Sequence, residues 1–165
     1  AWRHAVEVEN ILQKKTPATA RRQATLLRRR LTTLDAQAWT LISQSHHEVA
    51  VQMLLAASVK HSHLLGDFLL KVYAHRQRRL EPALAPVDWH DFLAECAHHD
   101  PAVAGWSEST RAKLFQVIVR ILVEAKYLKD ARSMKLTPRS LHPDVRRYLA
   151  ARHETYVLDC LERAK

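Results

Sequence analysis

Glycine is scarce in this chain of 165 residues, which contains only Gly66 and Gly105. Loops that cradle phosphate groups and tight β-hairpin turns both depend on glycine, because it adopts positive φ without steric cost. Two isolated glycines therefore exclude a glycine-rich nucleotide-binding loop and disfavour a hairpin-rich β fold. Leucine, alanine, arginine and histidine dominate instead, and 47% of the residues are apolar. The composition predicts a mostly helical protein.

The chain also has few cysteines, no secretory features and no long apolar run. Cys96 and Cys160 are the only cysteines, which is too few for a disulfide framework. No apolar run approaches the roughly 18 residues that cross a bilayer, and no signal-peptide pattern is present. A cytoplasmic protein without membrane attachment is therefore expected. The chain begins with Ala1 rather than Met, already in a helical pattern, which suggests that further residues precede it.

Positive charge is missing from the middle of the chain, although the protein as a whole carries a formal net charge of +9. Residues 81–110 contain no Lys or Arg, whereas residues 1–35 and 111–165 are both rich in them. A basic protein divided by an acidic band suggests two positive surfaces. Nucleic acid is the first partner to expect, an anionic membrane the second and an acidic protein the third.

The segment from Lys14 to Leu34 contains basic residues and no acidic residue. Thr16 and Pro17 predict the start of a helix, because a hydroxyl can accept from free backbone N–H groups and proline has its φ preset. Apolar residues then recur at the spacings of one helix face: Ala20, Ala24, Leu27, Leu31 and Leu34. A solvated face normally mixes charges of both signs, so this segment favours anion binding, with phosphate first. The residues expected to bind the anion are Lys14, Lys15, Arg21, Arg22, Arg28 and Arg29.

Apolar periods elsewhere predict helices over residues 2–13, 47–60, 62–79 and 87–98, and a longer helix from Ser107. Asp35 is expected to cap a short helix, and Pro143 to begin another, with a last helix around Leu161. The segment 47–60 is apolar almost all round, so it is expected to be a buried central helix. The middle of the helix from Ser107 is expected to be largely buried for the same reason.

Pro82 and Pro86 interrupt the helical period within five residues. They predict a junction between an N-terminal helical subdomain, residues 1–80, and a C-terminal helical subdomain, residues 81–165. The sequence also allows a small β-wing near residues 128–137, where Met134 and other apolar residues alternate with polar ones.

Residues 88–137 follow the plan of a winged helix-turn-helix: a helix, a turn, a second helix from Ser107 and the β-wing. In that plan a second set of basic residues would contact DNA, namely Arg111, Lys113, Arg132 and Lys135. The alternative is that Ser107 simply caps a buried core helix, which the apolar middle of that helix favours.

Catalytic and metal-binding motifs are not recognisable in the sequence. His61 and His63 would point about 200° apart on a helix, whereas zinc sites need paired ligand clusters at defined spacing. Cys96 is at most a weak candidate nucleophile. Neither catalytic residues, nor a cofactor, nor a metal site is therefore expected.

Four separated blocks of sequence carry a family resemblance. They are E-N-I-L-Q-K-K-T-P-A-T-A-R-R (9–22), A-A-S-V-K-H-S-H-L-L-G-D-F-L-L (56–70), D-W-H-D-F-L (88–93) and W-S-E-S-T-R-A-K-L (106–114). Together they resemble the BrxA family, small proteins of bacterial BREX phage-exclusion operons. The resemblance implies a compact helical protein without known catalytic activity, which binds DNA and works beside a methyltransferase and other BREX components.

The resemblance also implies an architecture similar to the NusB antitermination factor, a helical RNA-binding protein, so RNA binding stays open by analogy. The family usually has more residues before Trp2. It also often has a glycine where this chain has Lys126 before Tyr127, so a sharp, glycine-ended helix is not expected at this point.

The sequence thus predicts a non-catalytic, all-α protein, a compact helical bundle, that binds double-stranded DNA mostly through phosphates. Few aromatic residues accompany the arginines, which disfavours a stacking surface for single strands. Two alternatives stay open. One is RNA binding, and the other is an adaptor that docks other BREX proteins through its basic helix and an acidic band (Asp88, Asp91, Glu95, Asp100).

Overall fold

The structure, a computed structural model, describes residues 2–164. Its first half is helical: α1 (Trp2–Glu7), α2 (Pro17–Leu31), α3 (Ala36–Gln44), α4 (His47–His61), α5 (His63–Asp67) and α6 (Ala74–Arg78). A π-helical turn, Phe68–Tyr73, joins α5 to α6. The predicted helix over 62–79 is therefore not uniform. The wider turn lets Phe68, Leu69 and Tyr73 all be fully buried.

The second half continues with α7 (Pro86–His99), α8 (Pro101–Ala104), α9 (Glu108–Glu124), α10 (Pro143–Ala151) and α11 (Thr155–Arg163). Within residues 2–164 the structure contains no β-sheet, so the all-α prediction is confirmed. The predicted wing exists only as two isolated antiparallel bridges, Leu128 with Leu136 and Ala83 with Lys135.

Three helices begin at the predicted residues, where a side chain caps the helix through a local hydrogen bond. The Thr16 hydroxyl accepts from the Thr19 N–H at 3.2 Å, with Pro17 in the first helical position. The Asp35 carboxylate accepts from the Ala38 N–H at 3.0 Å and so caps α3. Ser107 caps α9 in the same way, through the Thr110 N–H at 3.2 Å.

The main hydrophobic core runs from Leu34 to Ala164 and is built around α4. Met53, Ala56 and Val59 on this helix are fully buried, which confirms the prediction of a buried central helix. The π-helical turn brings Phe68 to an aromatic cluster that joins it to α7 and α9, formed by Phe68, Trp89, Phe92 and Phe115.

The helix predicted over residues 2–13 is too long. The helix α1 ends at Glu7, and Asn10 and Gln13 in the following loop have positive φ. The reason is that no surface covers the rest of the apolar pattern, since Val8 is 69% exposed and Ile11 51%. A small second core of Val6, Ala20 and Ala24 holds α1 against α2.

The predicted junction at residues 81–86 falls between α6 and α7. The segment is attached on both sides, because Arg76 forms ion pairs with Glu81 and Asp88. The backbone N–H of Leu84 donates to the Met134 carbonyl at 3.1 Å. The main core takes residues from before and after this segment, so the division into two subdomains stays a prediction.

The end of α9 is sharp, contrary to expectation, although Lys126 stands where a glycine is common. The Tyr127 N–H donates to the Leu122 carbonyl at 2.8 Å and the Lys126 N–H to the Val123 carbonyl at 3.0 Å. This is the Schellman arrangement, which needs a left-handed residue after the helix. Lys126 supplies it with φ of 66°.

Candidate nucleic-acid interface

The helix α2 presents a dense row of exposed guanidinium groups. Arg21, Arg22, Arg28 and Arg29 are all exposed, and its first turn contains no acidic residue. Among residues 2–164, the only carboxylate within ion-pair distance of these four is that of Glu7, whose Oε1 lies 3.9 Å from the Arg21 Nε. The row therefore carries positive charge that the protein itself hardly neutralises.

The loop before α2 is ordered by one side chain. The Asn10 amide nitrogen donates to the Lys14 carbonyl at 3.0 Å, and its amide oxygen accepts from the Lys14 N–H at 2.9 Å. Thr16 then caps α2. Lys14 is half-buried and Lys15 exposed, so both predicted lysines lie on a fixed loop directly before the arginine row.

An open groove of about 550 Å3 lies between α1 and α2. It brings three of the predicted arginines together with residues of α1, and its lining is Trp2, Arg3, Val6, Glu7, Arg21, Ala24, Thr25, Arg28, Arg29 and Thr32. Trp2 and Arg3 also line this groove, although the sequence did not single them out. Their signal in the sequence was weak, because an Arg and a Trp in a short helical pattern are as typical of an ordinary surface helix as of a binding site.

The apolar stripe predicted for α2 is only partly covered. Ala20, Ala24 and Leu34 are buried, but Leu27 is 38% exposed. Arg30 lies on the side of the helix near Leu27, about 200° from Arg28, and lines a different groove together with residues of α4 and α9. It is therefore separate from the arginine row.

Arg111, which belongs to the second set of predicted residues, lies far from the first set. The helix α9 approaches α2 at its C-terminal end, where Glu124 and Ala125 line a groove shared with Leu27. Arg111 is 13 residues earlier on α9, which corresponds to about 20 Å along the helix. Arg111 is thus separated from the arginine row of α2.

Arg111 is engaged inside the protein. Its guanidinium donates to the Ala104 carbonyl at 3.1 Å and to the Glu108 carboxylate at 3.4 Å. Its own carbonyl accepts from the indole N–H of Trp89 at 3.1 Å. Lys113, in contrast, is exposed, so of the two residues it is the one available to a ligand.

Arg132 and Lys135 are exposed on the loop that the sequence predicted to be a wing. Asp130 orders this loop, because its carboxylate accepts from the Arg132 N–H at 2.9 Å and from the Ser133 N–H at 2.7 Å. These hydrogen bonds lower the pKa of Asp130. The hydrogen bond from the Ser133 N–H has the largest effect. The winged helix-turn-helix plan stays a prediction, with the wing reduced to isolated bridges.

Most of the acidic band has partners within the protein. Asp88 pairs with Arg76 and also accepts from the Ala85 N–H at 2.7 Å. Glu95 pairs with Lys71 at 2.9 Å, and Asp100 caps α8 through the Ala102 N–H at 2.9 Å. Asp91, Glu95 and Asp100 are nevertheless exposed, so docking of a basic partner on this band stays a prediction.

Within the described part of the chain, no group of three or more His, Cys, Asp or Glu side chains is placed to hold a metal ion. Burial raises the pKa of the Cys160 thiol to about 12 and also raises that of Cys96. Both thiols are therefore protonated near neutral pH, which makes them poor nucleophiles. No helix between residues 2 and 164 combines the length and hydropathy needed to cross a membrane.

Comparison with known proteins finds one family and relatives that bear its name. The sequence model of the BrxA family matches residues 1–153. A protein of Paramagnetospirillum magneticum (strain ATCC 700264 / AMB-1), named BREX protein BrxA, is 40% identical over 161 residues, which covers 98% of this chain and 81% of the relative. A protein of the same name from Escherichia coli O9:H4 (strain HS) is 32% identical over 161 residues, 98% of this chain and 76% of the relative.

A solved structure supports the fold. The crystal structure of an uncharacterized protein from Magnetospirillum magneticum superposes with a TM-score of 0.86 at 37% sequence identity. The match covers 98% of this chain and 83% of that one.

Proposed function

This chain belongs to the BrxA family of BREX phage-defence systems, and we propose that it is a non-catalytic component that binds double-stranded DNA. The arginine row of α2 and the loop before it bind the phosphates, through Lys14, Lys15, Arg21, Arg22, Arg28 and Arg29. The proposal places the protein in the bacterial cytoplasm, where it would meet DNA.

The observation that carries the proposal is the contrast between the arginines of the α2 row and three arginines elsewhere in the protein. Arg146 and Arg152 are paired with carboxylates, and Arg76 pairs with two. Among the four arginines of the row, and within residues 2–164, only Arg21 lies within ion-pair distance of a carboxylate, at 3.9 Å. Exposed guanidinium groups held side by side without counter-charges repel one another, and a polyanion relieves this repulsion.

The dimensions of α2 suit a duplex. Its 15 residues span about 22 Å, and duplex DNA carries one phosphate charge per roughly 1.7 Å of its axis. Several phosphates thus lie within reach of the row. Because these contacts do not read bases, we expect little sequence preference.

Lys113, Arg132 and Lys135 form a second, weaker region in this proposal. They are exposed but lie on α9 and the loop after it. Arg111 belongs to the same region, although its guanidinium is largely occupied by Ala104 and Glu108. These residues would contact a duplex long enough to follow the surface beyond α2.

The test compares two variants that lose the same charge. One replaces Arg21, Arg22, Arg28 and Arg29 by Ala, and the control replaces Arg78, Arg79, Arg146 and Arg147 by Ala. Affinity for a fluorescent duplex is measured by anisotropy across a salt series, after circular dichroism has shown that both variants are folded. We expect the α2 variant to bind more than about 30-fold more weakly near 0.1 M salt. Its slope of log affinity against log salt should fall by about 3 to 4, at roughly 0.9 per lost phosphate contact.

The control variant should stay within about threefold of the wild type. Equal losses in both variants would mean that net charge rather than the arginine row determines binding, and would contradict the proposal. Competition with structured RNA addresses the alternative of RNA binding, which rests on analogy of fold. If RNA displaces the duplex at lower concentration than unlabelled duplex does, RNA is the ligand of this surface.

A further inference from the structure

A second groove lies between α2, α4 and α9 and has a volume of about 480 Å3. Its walls are mainly apolar and are formed by Leu27, Leu31, Val51, Leu54, Leu55 and Ile121. Leu27 is 38% exposed and Leu54 42%. Contiguous exposed apolar surface of this kind is typical of interaction sites, whereas single exposed leucines need no explanation.

These apolar residues occupy positions that the sequence pattern assigns to a core. Leu27 belongs to the apolar stripe of α2, and Ile121 lies in the apolar middle of α9, where Val117 is also 44% exposed. The described part of the chain leaves both helices partly uncovered on this side. A pattern that favours burial without a covering element indicates that another molecule supplies the cover.

Arg30 adds a positively charged side chain to the apolar lining of the groove. Its Nε atom is buried and has no hydrogen-bond acceptor among residues 2–164. Burial lowers the pKa of this guanidinium, while the charge of Glu124 acts in the opposite direction. Arg30 as a whole is only partly buried and lines the groove, so a carboxylate placed there would form a charge-assisted hydrogen bond with its guanidinium group.

The rim of the groove adds to the positive charge. Lys126 and His47 line it together with Arg30, whereas Glu124 is the one carboxylate among the residues that line it. Apolar walls with a basic edge complement a helix that has an apolar face and an acidic residue beside it.

We propose that the groove between α2, α4 and α9 binds an amphipathic helix of another BREX protein. The apolar face of that helix packs on Leu27, Leu54 and Ile121, and one of its carboxylates accepts from Arg30. Because the groove is lined by Leu27, Arg30 and Leu31 of α2 and by none of the four arginines of the row, the partner leaves the arginine row uncovered. The proposal is therefore independent of DNA binding through that row.

The experiment measures binding of this chain to each of the other proteins of its BREX system, purified one at a time, by biolayer interferometry. Each groove variant is paired with a control that makes the same substitution at a residue outside the groove. Leu27→Lys is matched by Leu26→Lys, since Leu26 is similarly exposed at 40% but does not line the groove. Arg30→Gln is matched by Arg120→Gln, which replaces an exposed arginine of α9 that does not line the groove.

We expect at least one BREX protein to bind the wild type. Leu27→Lys should weaken that binding by about 30-fold or more, because it places a charge in the apolar contact. Arg30→Gln should weaken it by about tenfold, and both controls should stay within about twofold. Leu54→Lys serves as a second groove variant if thermal unfolding shows that Leu27→Lys is not folded.

Three results would overturn the proposal. The first is that none of the BREX proteins binds, and the second is that the groove variants and their controls behave alike. The third is that the wild type dimerises in sedimentation experiments and Leu27→Lys abolishes the dimer, which would mean that a second copy covers the groove. Duplex affinity measured on the same variants separates this test from that of DNA binding, because Leu27→Lys leaves the arginine row intact.

Discussion

Asn10 forms two hydrogen bonds with the backbone of Lys14, one to its carbonyl at 3.0 Å and one from its N–H at 2.9 Å. The Asn10 side chain thus satisfies the N–H and the carbonyl of Lys14, which in a helix or a strand would pair with other backbone groups. Asn10 itself has φ of 48°, a conformation that asparagine tolerates better than most residues. One residue therefore fixes both the path of the loop and the place of Lys14 before α2.

Replacing Asn10 by Gly should weaken duplex binding by about threefold, because glycine keeps the positive φ but loses both hydrogen bonds. The slope of log affinity against log salt should stay unchanged, since no charge is removed. Anisotropy titrations at several salt concentrations measure both quantities. A reduced slope would mean that the loop contributes charge contacts that depend on its order.

Arg111 and Lys113 should respond differently to replacement by Ala. Arg111 donates to Ala104 and Glu108, so Arg111→Ala should lower the free energy of unfolding by about 1 kcal/mol. Lys113 is exposed, so Lys113→Ala should leave stability within about 0.5 kcal/mol while weakening duplex binding. Urea titrations and anisotropy on the two variants check this. The assignment of roles is wrong if Lys113→Ala proves the more destabilising change.

Lys126→Gly should stabilise the protein by about 1 kcal/mol. Lys126 has φ of 66° at the end of α9, and a side chain in the left-handed conformation costs roughly 1–2 kcal/mol that glycine avoids. Lys126→Ala is the control, because it removes the same charge and keeps a Cβ atom. Thermal unfolding should show a gain for the glycine variant alone. A similar gain for both would attribute the effect to charge instead.

The Asp35 carboxylate contributes to stability in a pH-dependent way. The Ala38 N–H lowers its pKa most, with Arg152 and Tyr148 also donating to it. A carboxyl whose pKa is lower in the folded state stabilises the fold above its unfolded pKa, near 3.9, and this contribution is lost as pH falls through the folded value. Asp35→Asn should thus be less stable than the wild type at pH 7.

The difference between Asp35→Asn and the wild type should shrink as pH falls below about 4, where the wild-type carboxyl becomes protonated. Urea titrations at pH 7, 5 and 3 measure it. Asp91→Asn is a control, because Asp91 is exposed on α7. A constant difference across this range would show that Asp35 acts through hydrogen-bond geometry rather than through charge.

The family and the helical class could both be predicted from the sequence, whereas the composition of the candidate interface could be predicted only in part. The arginines of α2 could be singled out because their charge pattern lies on one continuous segment, and their role in binding stays a prediction. Trp2 and Arg3 were missed, since only the packing of α1 on α2 places them in the same groove. Arg111 was expected to face a ligand, but its donors go to residues within the protein.

The sequence by itself determined the features that depend on neighbours within a few residues. Thr16, Asp35 and Ser107 begin their helices because the hydrogen bonds that cap a helix join residues two or three positions apart. The apolar residues almost all round α4 likewise predicted that this helix is buried. These interactions are specified locally, so a pattern in the chain is enough to predict them.

Only the tertiary structure decided which apolar faces are covered and which basic residues stay free. The apolar stripe of α2 and the middle of α9 predict burial equally well, yet Leu27 and Val117 remain more than a third exposed. Their burial depends on which helices pack beside them, and these helices come from segments far apart in the chain. Packing of distant segments is a property of the whole fold, and it left the groove that holds Arg30 open to a partner.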